Sequence, residues 1–305
     1  MFIEEYLHDL RRDRFAPRAL VLYARRVAAR VREQIYANPG TVRSVWSVAL
    51  GFFVAAFVAS LGIALLYDRH LASDFLLHTA LWILPAFALV TLSLELLRDR
   101  DGYRLSALNI PVTLTLLRVV LVPGLALFLV EGHYHAALLV YALASLTDVA
   151  DGWVARRWNQ VTRLGTVLDP QVDIVFTLAL LWALTTAHLL PAWVLGVAIA
   201  RYAILLIGGA YLYLFVGPVR IYPTLFGRLT GVVITGLVAL LLVLHTLGGH
   251  LRERLLSLTV IALGVLLSAT IVQVLVLGWF NLRTMTGAAD ATRGRVVGDV
   301  RWGSP

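Results

Sequence analysis

Apolar residues fall in eight long blocks, roughly 45–67, 74–97, 108–130, 136–153, 166–189, 191–215, 224–246 and 255–282, separated by short polar stretches. Each approaches or exceeds the roughly 20 residues that a helix needs to cross about 30 Å of hydrocarbon. The bilayer core holds no water to satisfy backbone amides, so runs of this length must be helical. None shows the alternation of a membrane barrel. The pattern predicts an all-α fold, a polytopic membrane helical bundle of about eight transmembrane helices.

Composition narrows the class. The 305 residues are 60% apolar and 14% charged, with a mean hydropathy of +0.82, far from a soluble globular domain. Disordered, collagen-like and disulfide-stapled classes fall away too, because the apolar fraction is high, glycine has no period and cysteine is absent. A net charge of +8 could suit nucleic acid, but the basic residues lie in short blocks between apolar runs. That distribution argues for membrane lipid as a partner and against nucleic acid. All 26 basic residues are arginine, which fits a GC-rich coding background and equally fits bidentate phosphate binding.

With a cytoplasmic N-terminus, the inside segments 1–44, 98–107, 154–165, 216–228 and 283–305 hold 21 arginines and the outside loops only Arg69, Arg252 and Arg254. This positive-inside bias predicts cytoplasmic N- and C-termini in a membrane such as the bacterial inner membrane. Arg118 and Arg201 are left over inside apolar runs, where a charge is costly and usually faces a polar cavity.

Residues 1–44 lack the short apolar core and small-residue cleavage site of a signal peptide. Leu20, Ala24, Val27, Val31 and Ile35 recur at spacings of three and four, with Arg25, Arg26, Arg30 and Arg32 largely on other faces. This reads as a basic amphipathic arm suited to an anionic leaflet, or equally as a solvated positive flank. Residues 284–305, rich in Gly, Thr, Asp and Arg, are expected to form a flexible cytoplasmic tail.

One segment does more than cross a bilayer. From Thr147 to Ile174 the chain reads TDVADGWVARRWNQVTRLGTVLDPQVDI, with Asp148, Asp151, Asp169 and Asp173 at the cytoplasmic ends of two consecutive spans. On helices, Asp148, Asp151 and Ala155 share one face, and Gly165, Asp169 and Asp173 share one face of the next. Four crowded carboxylates repel one another and call for a cation. All-oxygen ligation favours Mg²⁺ or Mn²⁺ over zinc, and a cage of this size could hold two ions, as in displacement at phosphorus. Gly152 and Ala155 would let a ligand lie against the backbone. Capping of helix ends and pairing with Arg156, Arg157 and Arg163 is the plainer alternative.

The spacing Asp148-x2-Asp151-Gly152-x2-Ala155-Arg156-x8-Gly165-x3-Asp169-x3-Asp173 resembles the signature of the CDP-alcohol phosphotransferases, integral membrane enzymes that join a CDP-linked lipid or alcohol to an acceptor hydroxyl and release CMP. The resemblance covers about 105–283, a six-helix core, and leaves the arm 1–44 and two extra transmembrane helices in 45–104 outside it. Upstream, Asn109-Ile110-Pro111, Leu114-Thr115, Arg118 and Pro123 are similar to the opening of bacterial phosphatidylglycerophosphate synthases and related cardiolipin synthases. Val112 and Ile174 depart from that pattern, standing where asparagine and lysine are usual.

The resemblance implies CDP-diacylglycerol as donor. It implies metal ligation by the aspartates, with Asp173, the fourth, as general base. Gly152, Ala155, Arg156 and Gly165, with Thr115 and Asn109, would contact the nucleotide. It also leaves a homodimer as a candidate assembly. A cradle of Arg118, Arg201, Arg228 and Arg220 would suit a phosphorylated acceptor such as glycerol 3-phosphate. Other acceptor alcohols, namely phosphatidylglycerol, inositol phosphate, serine or choline, remain alternatives. A divalent-cation transporter is the rival of another class, but it would favour acids near the midplane of discontinuous helices, often in two repeats. His133 and His135 space like metal ligands, yet lie in an outside loop and read as a solvated turn.

Overall fold

The computed structural model describes residues 16–216, 225–247 and 252–298, and within them the side chains of 215–216, 225–228, 281 and 284–298 are left aside. Among the described residues the chain forms nine α-helices and no strand: α1 (Pro17–Ala37), α2 (Pro39–Leu66), α3 (Arg69–Leu92), α4 (Ile110–Val130), α5 (Tyr134–Arg157), α6 (Arg163–Thr186), α7 (Ala192–Tyr211), α8 (Leu225–Thr246) and α9 (Arg252–Gly298). Eight of them, α2 to α9, are long and apolar enough to cross a membrane. The polytopic all-α membrane architecture is the one the hydrophobic blocks predict.

Local chemistry sets the boundaries that hydropathy misses. Asn38 separates α1 from α2 because a residue ahead of proline avoids the α region, and its Nδ2 donates to Gln34 O at 2.8 Å. α3 begins five residues before its apolar block, where Asp68 Oδ1 accepts from Leu71 N at 2.8 Å and caps a polar first turn. α5 and α6 likewise run past their apolar blocks to Arg157 and Arg163, so all four aspartates are helical. α9 continues to Gly298, so helical backbone extends over 284–298, within the segment expected as a tail. That stretch has no proline, and its Ala288-Ala289-Asp290-Ala291 run holds good helix formers. Residues 299–305 lie outside the described residues.

The chain divides into two compact units, Met1–Leu189 and Leu190–Pro305. In the first, Val45 and Ala49 of α2, Ile83, Phe87 and Val90 of α3, Val112, Leu116 and Val120 of α4, and Leu164, Leu168 and Val172 of α6 bury one another in a single apolar cluster. α2 and α3 therefore pack behind α4 and α6. Close approach needs small residues, and a Cβ on Gly124 of α4 would lie 2.7 Å from the Phe75 ring of α3. Polar contacts extend the brace: Thr41 Oγ1 donates to Leu105 O at 3.3 Å, and Leu108 N donates to Ser44 Oγ at 3.1 Å. In the second unit, α9 carries Gly264 where α7 sets Trp193, leaving no room for a Cβ.

Candidate functional site

The site is built on α4, the helix most enclosed in the first unit. Thr115 and Arg118 lie one turn apart on it, and both are buried. The charge at Arg118, costly in an apolar run, is met from two neighbouring helices. Its Nη2 donates to Asp148 Oδ1 at 2.6 Å and to Asp151 Oδ2 at 2.8 Å on α5, and its Nη1 donates to Asp173 Oδ1 on α6. Thr115 Oγ1 lies 3.1 Å from Asp151 Oδ2, Asp169 Oδ1 and Pro111 O alike. Its one proton can go to only one of them.

Asp148, Asp151, Asp169 and Asp173 are thus gathered at one end of α4, α5 and α6. The inner part is dry: the Arg118 and Asp151 side chains are 4% and 9% exposed, against 53% for Asp148 and 57% for Asp173. The cluster therefore grades from a buried pair to an open mouth. Four carboxyl groups face one guanidinium, and among the described contacts Asp169 has only the Thr115 hydroxyl.

That arrangement bears on a metal ion. Among the described residues no three carboxylate, imidazole or thiolate side chains are drawn together as a closed metal cage, because the guanidinium stands between them. The donor set still fits a hard divalent ion. It is all oxygen, it exceeds its one organic cation in charge, and it already converges on a positive group. A metal would take over part of the place that the Arg118 guanidinium fills.

Beside the carboxylates lies an open pocket lined by Pro111, Val112 and Thr115 of α4, Asp151, Gly152 and Ala155 of α5, and Gly165, Thr166 and Asp169 of α6. The loop residues Gln160, Val161 and Thr162 complete it. Thr162 caps α6, its Oγ1 accepting from Gly165 N at 3.1 Å. A Cβ on Gly165 would lie 3.3 Å from that hydroxyl and 3.6 Å from Val112 Cγ2, so the helix start and the α4 wall are in contact there. Val112, one of the departures from the expected motif, is an apolar wall residue, 1% exposed. The Arg156 guanidinium lies over Gly152, where a Cβ would come within 3.2 Å of Nη1.

The structure brings together Thr115, Asp151, Gly152, Ala155, Gly165 and Asp169 in one pocket, with Asp148, Asp173 and Arg118 adjoining it. Asn109 adjoins the loop, its Nδ2 donating to Gln160 O at 2.6 Å. Arg201 belongs to α7 in the second unit, where its guanidinium stacks on the Tyr202 ring at 4.7 Å and its Nε is buried with no hydrogen-bond partner. Arg220 and the Arg228 side chain lie outside the described residues. His133 packs on the Tyr67 ring, 4.4 Å between centroids, in the turn before α5. Sequence reasoning missed Gln160 as a pocket residue. Its signal was available: a carboxamide in the short turn between the two aspartate helices.

A family model for the CDP-alcohol phosphatidyltransferases matches residues 108–284. A CDP-diacylglycerol–glycerol-3-phosphate 3-phosphatidyltransferase of Escherichia coli is 45% identical over 89 residues, 28% of this chain and 48% of that protein. A cardiolipin synthase (CMP-forming) of Streptomyces coelicolor is 39% identical over 106 residues, 33% and 49% of the two chains. A probable cardiolipin synthase (CMP-forming) of Drosophila melanogaster is 33% identical over 125 residues, 40% and 39%. The chain therefore spans about half or less of the length of the curated relatives it matches.

Proposed function

Since the chain belongs to the CDP-alcohol phosphatidyltransferase family, we propose that it transfers the phosphatidyl group of CDP-diacylglycerol to an acceptor hydroxyl and releases CMP. The observation that carries this is the gathering of Asp148, Asp151, Asp169 and Asp173 beside a pocket walled by Gly152, Ala155 and Gly165. Glycerol 3-phosphate is the acceptor we favour. Phosphatidylglycerol is the second reading, favoured by the cardiolipin synthases among the relatives.

Asp148, Asp151 and Asp169 would hold Mg²⁺ or Mn²⁺, two ions in our reading, with Asp173 beside them. When bound, the ions neutralise the pyrophosphate and lower the charge cost of displacement at phosphorus. Gly152 and Ala155 leave the α5 backbone open to the nucleotide, with Arg156 alongside, and Thr115 stands between the Asp151 and Asp169 carboxylates, able to donate to one of them at a time. Asp173, at the exposed mouth, takes the proton of the acceptor hydroxyl. The acceptor oxygen then forms a bond to the phosphorus that carries diacylglycerol, the bond from that phosphorus to the CMP oxygen breaks, and CMP leaves with the electron pair. Arg118 is within reach of Asp173 and can exchange carboxylate for an acceptor's phosphate. On sequence placement alone, Arg201, Arg228 and Arg220 are further candidates for binding an acceptor's phosphate. The arginine distribution supports a cytoplasmic active site and termini in the bacterial inner membrane.

The test is to incubate the purified full chain with CDP-diacylglycerol and Mn²⁺ against glycerol 3-phosphate, phosphatidylglycerol, inositol 1-phosphate, serine and choline, following CMP and the product lipid. CMP release with one acceptor assigns the substrate, and no CMP release with any acceptor refutes the proposal.

A further inference from the structure

Helix α1 adjoins the membrane without being one of the helices apolar enough to cross it. Asn38 alone separates it from α2, and its φ of −131° and ψ of 59° lie outside the helical region, so the two helices do not continue one axis. Arg43 and the exposed Trp46 are the residues early in α2 suited to headgroup depth. Asn38 precedes them by roughly 8 and 12 Å, at about 1.5 Å per residue. The C-terminal end of α1 is therefore tethered at the lipid surface.

The faces of α1 are sorted. Around the helix, Leu20, Val21, Ala24, Val27, Val31 and Ile35 fall within an arc of roughly 120°, and Arg18, Arg25, Arg26, Arg30 and Arg32 occupy a separate arc of roughly 160°. Leu22 and Tyr36 are the larger apolar side chains that fall among the arginines. The protein covers one end of the apolar arc: Gln34 is buried and Ile35 packs against the apolar cluster of the first unit. The other end is open, with Leu20 45% and Val21 55% exposed. Glu33, the one acid of α1, pairs with Arg30 at 2.6 Å. Arg18 and Arg25 have no carboxylate partner among the described residues.

We infer that the N-terminal half of α1 docks on the surface of an anionic bilayer, its apolar arc at the boundary of headgroups and acyl chains and its arginines among the lipid phosphates. A polyanion such as RNA would engage the arginines and leave Leu20 and Val21 in water. A neutral apolar surface would take Leu20 and Val21 and make no use of Arg18 and Arg25. A bilayer with acidic headgroups accepts both faces of one helix at once. The tether through α2 also keeps that surface within reach, so docking is an intramolecular step at high effective concentration. It needs none of the aspartates, so its failure would leave the transferase reading untouched.

The chain has no cysteine, so a single introduced one carries a nitroxide without background. Full-length Leu20→Cys and Ala29→Cys are reconstituted in phosphatidylcholine bilayers with none or roughly 30% phosphatidylglycerol, and electron paramagnetic resonance reads each label's access to oxygen and to an aqueous nickel chelate. In the anionic bilayer the Leu20 label, on the apolar arc, should gain oxygen access and lose nickel access, while the Ala29 label, on the arginine arc, stays open to nickel. In the neutral bilayer both should stay open to nickel. Arg18→Gln together with Arg25→Gln should lower the docked-to-free ratio by roughly twentyfold, at about fivefold per arginine. A Leu20 label equally accessible in the two bilayers, whether open to nickel or shielded from it, overturns the inference, as does a ratio that the two glutamines leave unmoved. Ala24→Cys, on the same arc, gives the reading if Leu20→Cys fails to fold.

Discussion

Replacing Arg118 by methionine keeps most of the side chain's volume and removes the one guanidinium that, among the described residues, pairs with Asp148, Asp151 and Asp173. The three pairs are not equal. Asp148 and Asp173 are more than half exposed, so water takes over and their loss costs little. Asp151, 9% exposed, has no such recourse, and stranding a buried carboxylate costs about 3 kcal/mol, the lower end of what broken buried pairs give. For a chain of this size that is a fall in unfolding midpoint on the order of 5–10 °C. The measurement is thermal unfolding of the detergent-solubilised chain in EDTA, wild type against Arg118→Met. Asp151→Asn on the Arg118→Met background should restore part of the loss, because it removes the stranded charge. Divalent cation at about a hundredfold its Kd contributes about 2.7 kcal/mol. It should raise the midpoint of Arg118→Met more than that of the wild type, where the ion competes with the guanidinium. Coincident wild-type and variant midpoints in EDTA would refute the pairing energy, and equal metal-induced rises in the two would refute a shared place for ion and guanidinium.

Asp148→Asn, Asp151→Asn and Asp169→Asn should each lower both Mn²⁺ affinity and turnover, since each removes a charged oxygen donor, and undiminished CMP formation in excess EDTA would contradict this. Asp173→Asn should leave CDP-lipid and metal binding largely intact while turnover falls by roughly 10²-fold or more. Binding loss as severe as that of Asp148→Asn would make Asp173 a metal ligand first. Arg118→Ala, Arg201→Ala and Arg228→Ala should raise the acceptor KM with that for CDP-diacylglycerol little changed, lysine rescuing in part. Full activity on neutral inositol and none on phosphorylated acceptors would remove the cradle. Gly124→Ala sets a methyl 2.7 Å from the Phe75 ring, which stacks on Phe128, and should destabilise by about 1–3 kcal/mol, read as a lower unfolding midpoint with the donor's KM unchanged.

The spans and the aspartates were legible because each obeys a local rule: length and apolarity for the helices, a face repeat of three or four for the acids. What escaped was pairing at a distance. Hydropathy marks Arg118 as costly where it stands, but only the packing of α4 against α5 and α6 decides that its partners are carboxylates of the same site. Asn109 and Gln160 are 51 residues apart, and neither belongs to a periodic pattern, so their contact depends on a left-handed turn at Asn159 that composition does not disclose. The starts of α3 and α6 moved outward for a similar reason, since the caps at Asp68 and Thr162 add polar turns that an apolar window excludes.

The apolar cluster shared by α2, α3, α4 and α6 constrains how two copies could meet. A twofold dimer presents the same patch from both subunits and needs that patch vacant. Here Val112, Leu116 and Val120 of α4 and Leu164, Leu168 and Val172 of α6 are already covered within the chain by Val45, Ala49, Ile83 and Phe87. The outer face of the first helical pair is the new frontier, carrying Leu50, Phe53, Val54, Phe57, Leu61 and Leu65 exposed along α2. A homodimer of this chain could therefore not be built on that covered face of α4.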